Sequence, residues 1–178
     1  MKPAAGRGAR RAALAGLALA CGCLPALAGP PASSPVMIAV FEFELVDASP
    51  AAVLLGKSTS AAATLDKVTS AARDELAHSG RYQVIDASKT AVPGAPAKGL
   101  RDCDGCEAAL ALQLGAEQSL LGIVQRATQT DYYVVIQIRD AHSGKLIDQQ
   151  DANFAGSEDG WPSGVRMLIK HQVLATRE

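Results

Sequence analysis

The chain has 178 residues with 17 basic and 18 acidic side chains, which give a formal net charge of −1. Four of the basic residues lie within the first 11 positions, so the rest of the chain carries an acidic excess. An acidic protein binds nucleic acid and anionic membranes poorly, and the charge therefore excludes both as main partners.

The first 28 residues have the three regions of a secretory signal peptide. A basic start precedes an apolar run over residues 12–24, and Ala26 and Ala28 place small residues at the two positions that a signal peptidase recognises. The basic residues are Lys2, Arg7, Arg10 and Arg11. The apolar run is too short to span a bilayer, and no later run of about 18 apolar residues follows. The pattern predicts cleavage after Ala28 and a periplasmic protein without a transmembrane segment.

Lipidation at Cys21 is the alternative to this cleavage, and it would tether the chain to a membrane. Lipoprotein signals usually have Leu or a similar residue where Ala18 stands, so a lipid anchor is disfavoured. Cleavage after Ala28 leaves 150 residues with 13 basic and 18 acidic side chains, a net charge of −5. Residues 29–35 then form a short tether, and the remaining length suits one domain.

Apolar spacing predicts the elements of the first half of this domain. An apolar run that ends in alternation predicts a strand over residues 36–45. Apolar residues at helical spacing predict a helix from Ala61 to Leu76, closed by Gly80. A second strand follows over residues 81–86, and residues 87–101 form a loop longer than the usual connection.

The second half is predicted to contain two helices and a meander of three strands. The first helix covers residues 106–114, and the last covers residues 161–174 with Pro162 in its first turn. The strands cover residues 119–125, 132–139 and 145–152, with a turn at 140–144. This order predicts a single α+β domain over residues 36–175, built on one mixed sheet of about five strands with helices packed on it.

Three segments resemble the amino-terminal domain of TolB and the CsgG-type periplasmic domains. They are residues 38–43 (IAVFEF), 81–85 (RYQVI) and 114–122 (LGAEQSLLG). The resemblance implies a strand, a helix and a second strand, followed by a Gly-Ala turn into a hairpin.

A closer resemblance is to an uncharacterised family of small secreted bacterial proteins, family 3280 of the domains of unknown function. It covers residues 36–174 and depends on residues 101–107 (RDCDGCE), 114–116 (LGA), 124–126 (VQR), 138–140 (IRD), 143–145 (SGK) and Trp161. Residues 127–131 (ATQTD) and Gly160 depart from the family pattern. The resemblance implies an envelope location beside a periplasmic quinoprotein oxidation system, and it transfers no catalytic residue.

Cys103 and Cys106 are the thiols that remain after cleavage, and three interpretations compete for them. A structural disulfide would fix the long loop to the start of the helix and is favoured. A redox pair would be favoured by the helix N-terminus, which lowers the pKa of a thiol, but nearby carboxylates, among them Glu107, disfavour a thiolate. A site for a soft ion such as copper(I) would use both thiolates, although no Met or His is adjacent.

Other polar residues form no recognisable catalytic set. His78, His142 and His171 are expected to be solvated, and Glu42 and Glu44 are expected on one face at the solvent side of a strand end. Trp161 is either a hydrophobic peg that covers the sheet or an exposed anchor for a partner. Tyr132 and Tyr133 are expected to fill the sheet.

The sequence therefore predicts a non-enzymatic accessory protein of the bacterial envelope that needs no cofactor. Its partner is expected to be a periplasmic or outer-membrane protein or a second copy of itself. The expected contact surfaces are the sheet-edge strands and the helix that begins at Trp161, with Trp161 as the candidate contact residue. The alternative is a small thiol-redox or metal-handling protein that uses Cys103 and Cys106. A weaker alternative is a small-ligand site beside the loop at residues 87–101.

Overall fold

The structure, a computed structural model, describes residues 34–55, 60–87 and 99–175, which form a mixed sheet and the helices packed on it. The strands are β1 (Val36–Val40), β2 (Glu44–Asp47), β3 (Tyr82–Asp86), β4 (Gln118–Arg126), β5 (Asp131–Asp140) and β6 (Leu146–Ala155). The α-helices are α1 (Pro50–Leu55), α2 (Ser60–His78), α3 (Cys106–Gln113) and α4 (Trp161–Leu168). The predicted signal peptide, Cys21 and most of the tether lie outside the described residues. No described helix has the length and apolar character needed to cross a membrane.

The sheet has the order β3-β1-β4-β5-β6, and β2 also pairs with β4. Its first half is parallel, from β3 through β1 to β4, and its second half is an antiparallel meander of β4, β5 and β6. Both β1 and β2 lie along the same edge of β4, with Val40 opposite Leu120 and Glu44 opposite Ile123. The predicted α+β fold with one mixed sheet is confirmed, with β1 and β2 sharing one of its five positions.

The single strand predicted over residues 36–45 is wrong because the chain leaves the ladder at residues 41–43. There the amide of Phe43 donates a 3.0 Å hydrogen bond to Thr69 Oγ1 of α2 instead of to a strand. The ring of Phe43 lies directly on Gly122 of β4, where a Cβ atom would overlap the ring. A glycine inside a strand often marks such a close approach. The continuous apolar run gives no sign of this break.

One face of the sheet is covered by α2 and α4, whose apolar residues recur at helical spacing. Val68, Ala72 and Leu76 of α2 are buried against this face together with Val165 and Leu168 of α4. The strand residues that meet them include Ile38, Val40, Leu120, Val124, Val134, Ile136 and Ile138. This cluster is the larger of the two cores.

Among the described helices, α3 packs on the opposite face. Leu110 and Ala111 pack there against Ala39, Phe41 and Leu121. Because side chains alternate between the faces of a strand, β4 supplies residues to both cores. Its central residues are therefore buried on both sides, which explains the run of apolar residues at 120–124.

Two features of the helices differ from the sequence prediction. The helix α1 was not predicted, although Ser49 stands before Pro50 in the order of a helix cap and a first helical residue. Ser49 Oγ accepts a 3.3 Å hydrogen bond from the amide of Ala52, which caps the helix. The last helix is predicted as one element over residues 161–174, but after Leu168 it widens into a π-helical turn, Ile169–Val173.

Arg126, at the end of β4, joins the sheet to the segment that leads into α4. Its guanidinium pairs with Asp47 of β2 and with Glu158, which lies just before α4. The Asp47 side chain is only 6% exposed. The hydrogen bond from Arg126, with further ones from Ser49, lowers the pKa of Asp47 from 3.8 to about 2. The ionised form of Asp47 is thus favoured by folding.

Replacing Asp47 with Asn is expected to lower the free energy of unfolding by about 2 kcal/mol at neutral pH. A folded-state pKa below the unfolded value contributes stability above the unfolded pKa and loses it as pH falls through the folded pKa. The difference between the two proteins should therefore shrink between the pKa values of 3.8 and about 2. Urea unfolding across this pH range measures it. Asp159→Asn, a matched change at an exposed carboxylate, should have little effect; equal losses in both variants would contradict the prediction.

Candidate functional site

Cys103 and Cys106 lie where a 3₁₀ turn, Leu100–Cys103, meets the start of α3. Their Cα atoms are 5.6 Å apart and their sulfur atoms are joined. Between them, Asp104 and Gly105 adopt positive φ angles of 46° and 99°. This region suits Gly, and Asp tolerates it better than most residues, so the sequence Asp-Gly permits the tight reversal between the two sulfurs. We call residues 99–107 the Cys loop.

Glu44 of β2 fixes the beginning of the Cys loop. Its carboxylate accepts a hydrogen bond from the amide of Leu100 and lies 3.4 Å from Nη1 of Arg101. The same Arg101 nitrogen donates a 3.2 Å hydrogen bond to the carbonyl of Leu45. The expectation that Glu42 and Glu44 share a solvent-exposed strand face is therefore wrong. Glu42 lies exposed in the break after β1, whereas the side chain of Glu44 is only 15% exposed.

Arg139 of β5 fixes the other end of the Cys loop. Its Nε lies 2.9 Å from Oε1 of Glu107, and its Nη2 lies 3.5 Å from Asp104. It also donates a 3.3 Å hydrogen bond to the carbonyl of Gly144 in the β5–β6 turn. One cation therefore connects the Cys loop, the sheet and the turn.

Glu107 is the least expected residue of this site, because its carboxylate is 1% exposed. Its contact with Arg139 is an ion pair that falls short of hydrogen-bond geometry, and neither of its oxygens has a hydrogen-bond partner among the described residues. An oxygen of Glu107 and the sulfurs of Cys103 and Cys106 lie within 4.8 Å of one another. From the sequence, Glu107 is expected only to be a charge near the two cysteines. Its position next to Cys106 was visible, but its burial was not.

The three histidines lie on separate elements: His78 at the end of α2, His142 in the β5–β6 turn and His171 in the last π-helical turn. All three are exposed. Within the described residues they join no cluster of three or more potential metal ligands. They therefore offer no assembled catalytic or metal-binding set in this part of the chain.

Trp161 is buried, with 1% of its surface exposed, so the exposed-anchor interpretation is wrong. Its ring lies 5.9 Å from that of Tyr132, and the guanidinium of Arg126 lies 5.7 Å from the indole centroid. Tyr132 also stacks on Phe154 at 5.4 Å and donates a hydrogen bond to the carbonyl of Gly160. The indole therefore packs against the sheet, and a partner could contact it only if α4 unfolded locally.

The strand β6 is an edge strand of the kind expected to contact a partner, although the sequence does not identify which strand lies at the edge. Among the described strands it pairs only with β5, so it forms one edge of the sheet. Leu146 and Ile147 at its start are 46% and 45% exposed. Gln149, Asp151 and Asn153 are also exposed along the strand. The alternation of polar and apolar residues over 151–154 (DANF) is the signal in the sequence for a half-exposed strand.

A small-ligand site beside the loop at residues 87–101 stays a prediction, because residues 88–98 lie outside the described part of the chain. Elsewhere, α2 and α4 form a wide groove of about 400 Å³, lined by Asp66, Lys67, Ser70, Ala71, Asp74, Pro162 and Arg166. Its charged and open lining lacks the enclosed apolar character that small-molecule sites usually have.

A family model matches residues 36–173 of the chain. The family is DUF3280, described as "Protein of unknown function (DUF2380)". The chain belongs to this family, and the resemblance predicted from the Cys pair and the motifs after it is confirmed. Among curated proteins, no sequence matches the chain.

Several solved structures are similar to the chain. A PelC dodecamer from Paraburkholderia phytofirmans matches with 19% identity over 84% of this chain and 94% of that chain, at a TM-score of 0.51. The C-terminal domain of LpoB from Salmonella enterica matches with 14% identity over 69% and 84%, at 0.48. TolB from Acinetobacter baumannii matches with 14% identity over 79% and 29%, at 0.46. The similarity to PelC shows a shared fold. The matches to LpoB and TolB are weaker, and no conclusion is based on them.

Replacing both Cys103 and Cys106 with Ser is expected to lower the free energy of unfolding by about 1–3 kcal/mol, because the disulfide no longer constrains the unfolded chain. The expected loss is small for a disulfide because the enclosed loop is short. Denaturant unfolding of the wild type with and without a reductant provides the control, since the reduced wild type should unfold like the double variant. Cys103 and Cys106 of the wild-type protein should resist alkylation until the disulfide is reduced. Alkylation of both residues in unreduced secreted protein would refute the disulfide.

Proposed function

We propose that the chain is a non-enzymatic accessory protein of the bacterial envelope that works by binding protein. The partner is a periplasmic or outer-membrane protein or a second copy of this chain, and no cofactor takes part. The proposal is supported most directly by β6, a long strand at the sheet edge with exposed apolar residues at its start. More specifically, we propose that the protein assists a periplasmic quinoprotein oxidation system, which the family resemblance supports.

The edge of β6 suits the addition of a further strand. A strand at a sheet edge presents backbone N–H and C=O groups that an extended segment of another chain pairs with. β6 is ten residues long, well above the usual five or six of a strand. Its exposed Leu146 and Ile147 add apolar contact area at one end, whereas the polar residues further along maintain solubility.

Self-association is one form of this proposal. The PelC structure that shares the fold is a dodecamer, which supports self-association of this chain. Pairing of β6 with a second copy would bury the apolar residues at its start. A different envelope protein would use the same edge without symmetry.

The proposed location follows from the amino-terminal sequence. Residues 1–28 act as a signal peptide, residues 29–35 as a tether, and residues 36–175 as the single α+β domain, with Cys21 removed rather than lipidated. In an oxidising periplasm the bonded state of Cys103 and Cys106 is the stable one.

The export proposal predicts a mature chain that begins at Gly29. Intact-mass measurement of the protein from the envelope fraction tests it without any variant. A mass that includes residues 1–28, or one that carries diacylglycerol on Cys21, would refute the cleavage proposed here.

The contact proposal predicts that a photo-crosslinking residue at Gln149 captures a protein partner or a second copy in cells. Leu146→Asp should reduce capture by about tenfold or more, because a charge at the apolar end of β6 must be desolvated on binding. Leu112→Asp is the matched control, since Leu112 has a similar exposure of 42% but lies on α3. It should leave capture unchanged.

Two results would contradict the contact proposal. Equal loss of capture in the Leu146 and Leu112 variants would show that β6 is not the binding edge. Loss of biological activity in a folded His142→Ala variant that still captures its partner would indicate chemistry at a side chain instead of binding.

A further inference from the structure

The buried carboxylate of Glu107 is not used by the proposed contact function. Burying a charge costs free energy unless ion pairs and hydrogen bonds replace its water. Glu107 keeps one ion pair, to Arg139, and no hydrogen bond among the described residues. An oxygen of this 1% exposed carboxylate lies within 4.8 Å of the sulfurs of Cys103 and Cys106.

The spacing of the three side chains fits a small tetrahedral metal site. Zinc binds thiolate sulfur at about 2.3 Å and carboxylate oxygen at about 2.0–2.2 Å, so ligand atoms around it are separated by roughly 3.5 Å. The sulfurs of Cys103 and Cys106 and an oxygen of Glu107 already lie within 4.8 Å of one another. Separation of the two sulfurs would therefore need only small side-chain rotations.

The charges of the site favour a divalent ion. Two thiolates and the carboxylate of Glu107 carry three negative charges, of which Arg139 at 2.9 Å balances one. A divalent cation neutralises the remaining two, whereas copper(I) would leave a buried negative charge. The carboxylate of Asp104 also lies near Arg139, but its side chain is fully exposed and its charge is solvated.

We propose that the reduced form of the chain binds one Zn²⁺ through Cys103, Cys106 and Glu107, with water as the fourth ligand and Arg139 as the residue that positions Glu107. A dithiol reductant first delivers two electrons and two protons, so that its own sulfurs form a disulfide and Cys103 and Cys106 become thiols. Zn²⁺ then displaces the two thiol protons into water. The oxidised form lacks both thiolates and binds no zinc here, so the site is controlled by reduction and is separate from the β6 edge.

The test uses the mature secreted chain, reduced with a phosphine and titrated with Zn²⁺ against a chromogenic chelator without oxygen. One equivalent should bind, and the oxidised chain should bind none. Glu107→Gln keeps the shape of the side chain and should weaken binding by at least about tenfold, the loss typical even of outer ligand partners. Asp104→Asn, a neighbouring carboxylate outside the site, should bind as the wild type does.

A second measurement does not depend on the folding of a variant. Co²⁺ bound to the reduced wild type should show the intense visible absorption of tetrahedral coordination together with sulfur-to-metal charge transfer, and alkylation of the thiols should abolish both. Absence of a one-to-one zinc complex in the reduced wild type would overturn the proposal. So would equal affinities in the Glu107→Gln and Asp104→Asn proteins, or octahedral Co²⁺ without charge transfer.

Discussion

The position of β4 constrains the rest of the structure, because it hydrogen-bonds to β1 and β2 on one side and to β5 on the other. It therefore joins the parallel half of the sheet to the antiparallel meander. Its alternate residues also serve both cores: Leu120 and Val124 face α2 and α4, whereas Leu121 faces α3. Gly122 has no side chain because Phe43 occupies that space. Because β4 is covered on both faces and paired along both edges, the positions of the elements around it are closely restricted.

Two arginines then attach non-sheet segments to opposite faces of this sheet. Arg126 attaches the segment before α4 through Glu158 and pairs within the sheet with Asp47, whose pKa it lowers. Arg139 attaches the Cys loop through Glu107, but that carboxylate gains an ion pair without hydrogen bonds. In the first cluster both carboxylates, Asp47 and Glu158, accept hydrogen bonds from Arg126. In the second cluster the oxygens of Glu107 accept no hydrogen bond from the described residues, and zinc binding by the reduced chain is therefore proposed there.

The proposed contact edge and the Cys loop meet at Arg139. In the sheet register Arg139 lies opposite Leu146, the first residue of β6, and its guanidinium also binds the carbonyl of Gly144 in the preceding turn. Arg139 is therefore adjacent both to Glu107 and to the exposed end of β6. The two proposals remain separable, because substitutions at Leu146 leave the sulfur ligands intact and substitutions at Glu107 leave the edge intact.

The sequence by itself determined the order of most elements, the mixed sheet and the family, because apolar periodicity and the motifs around Cys103 and Cys106 are local properties of the chain. It did not reveal the break at residues 41–43, since Phe41 and Phe43 are both apolar and only packing sends them to opposite cores. Nor did it decide whether Trp161 is buried. The roles of Glu44 and Glu107 depend on partners 56 and 32 positions away, Leu100 and Arg139. Contacts over such separations exist only once the sheet has formed, so tertiary structure alone decided them.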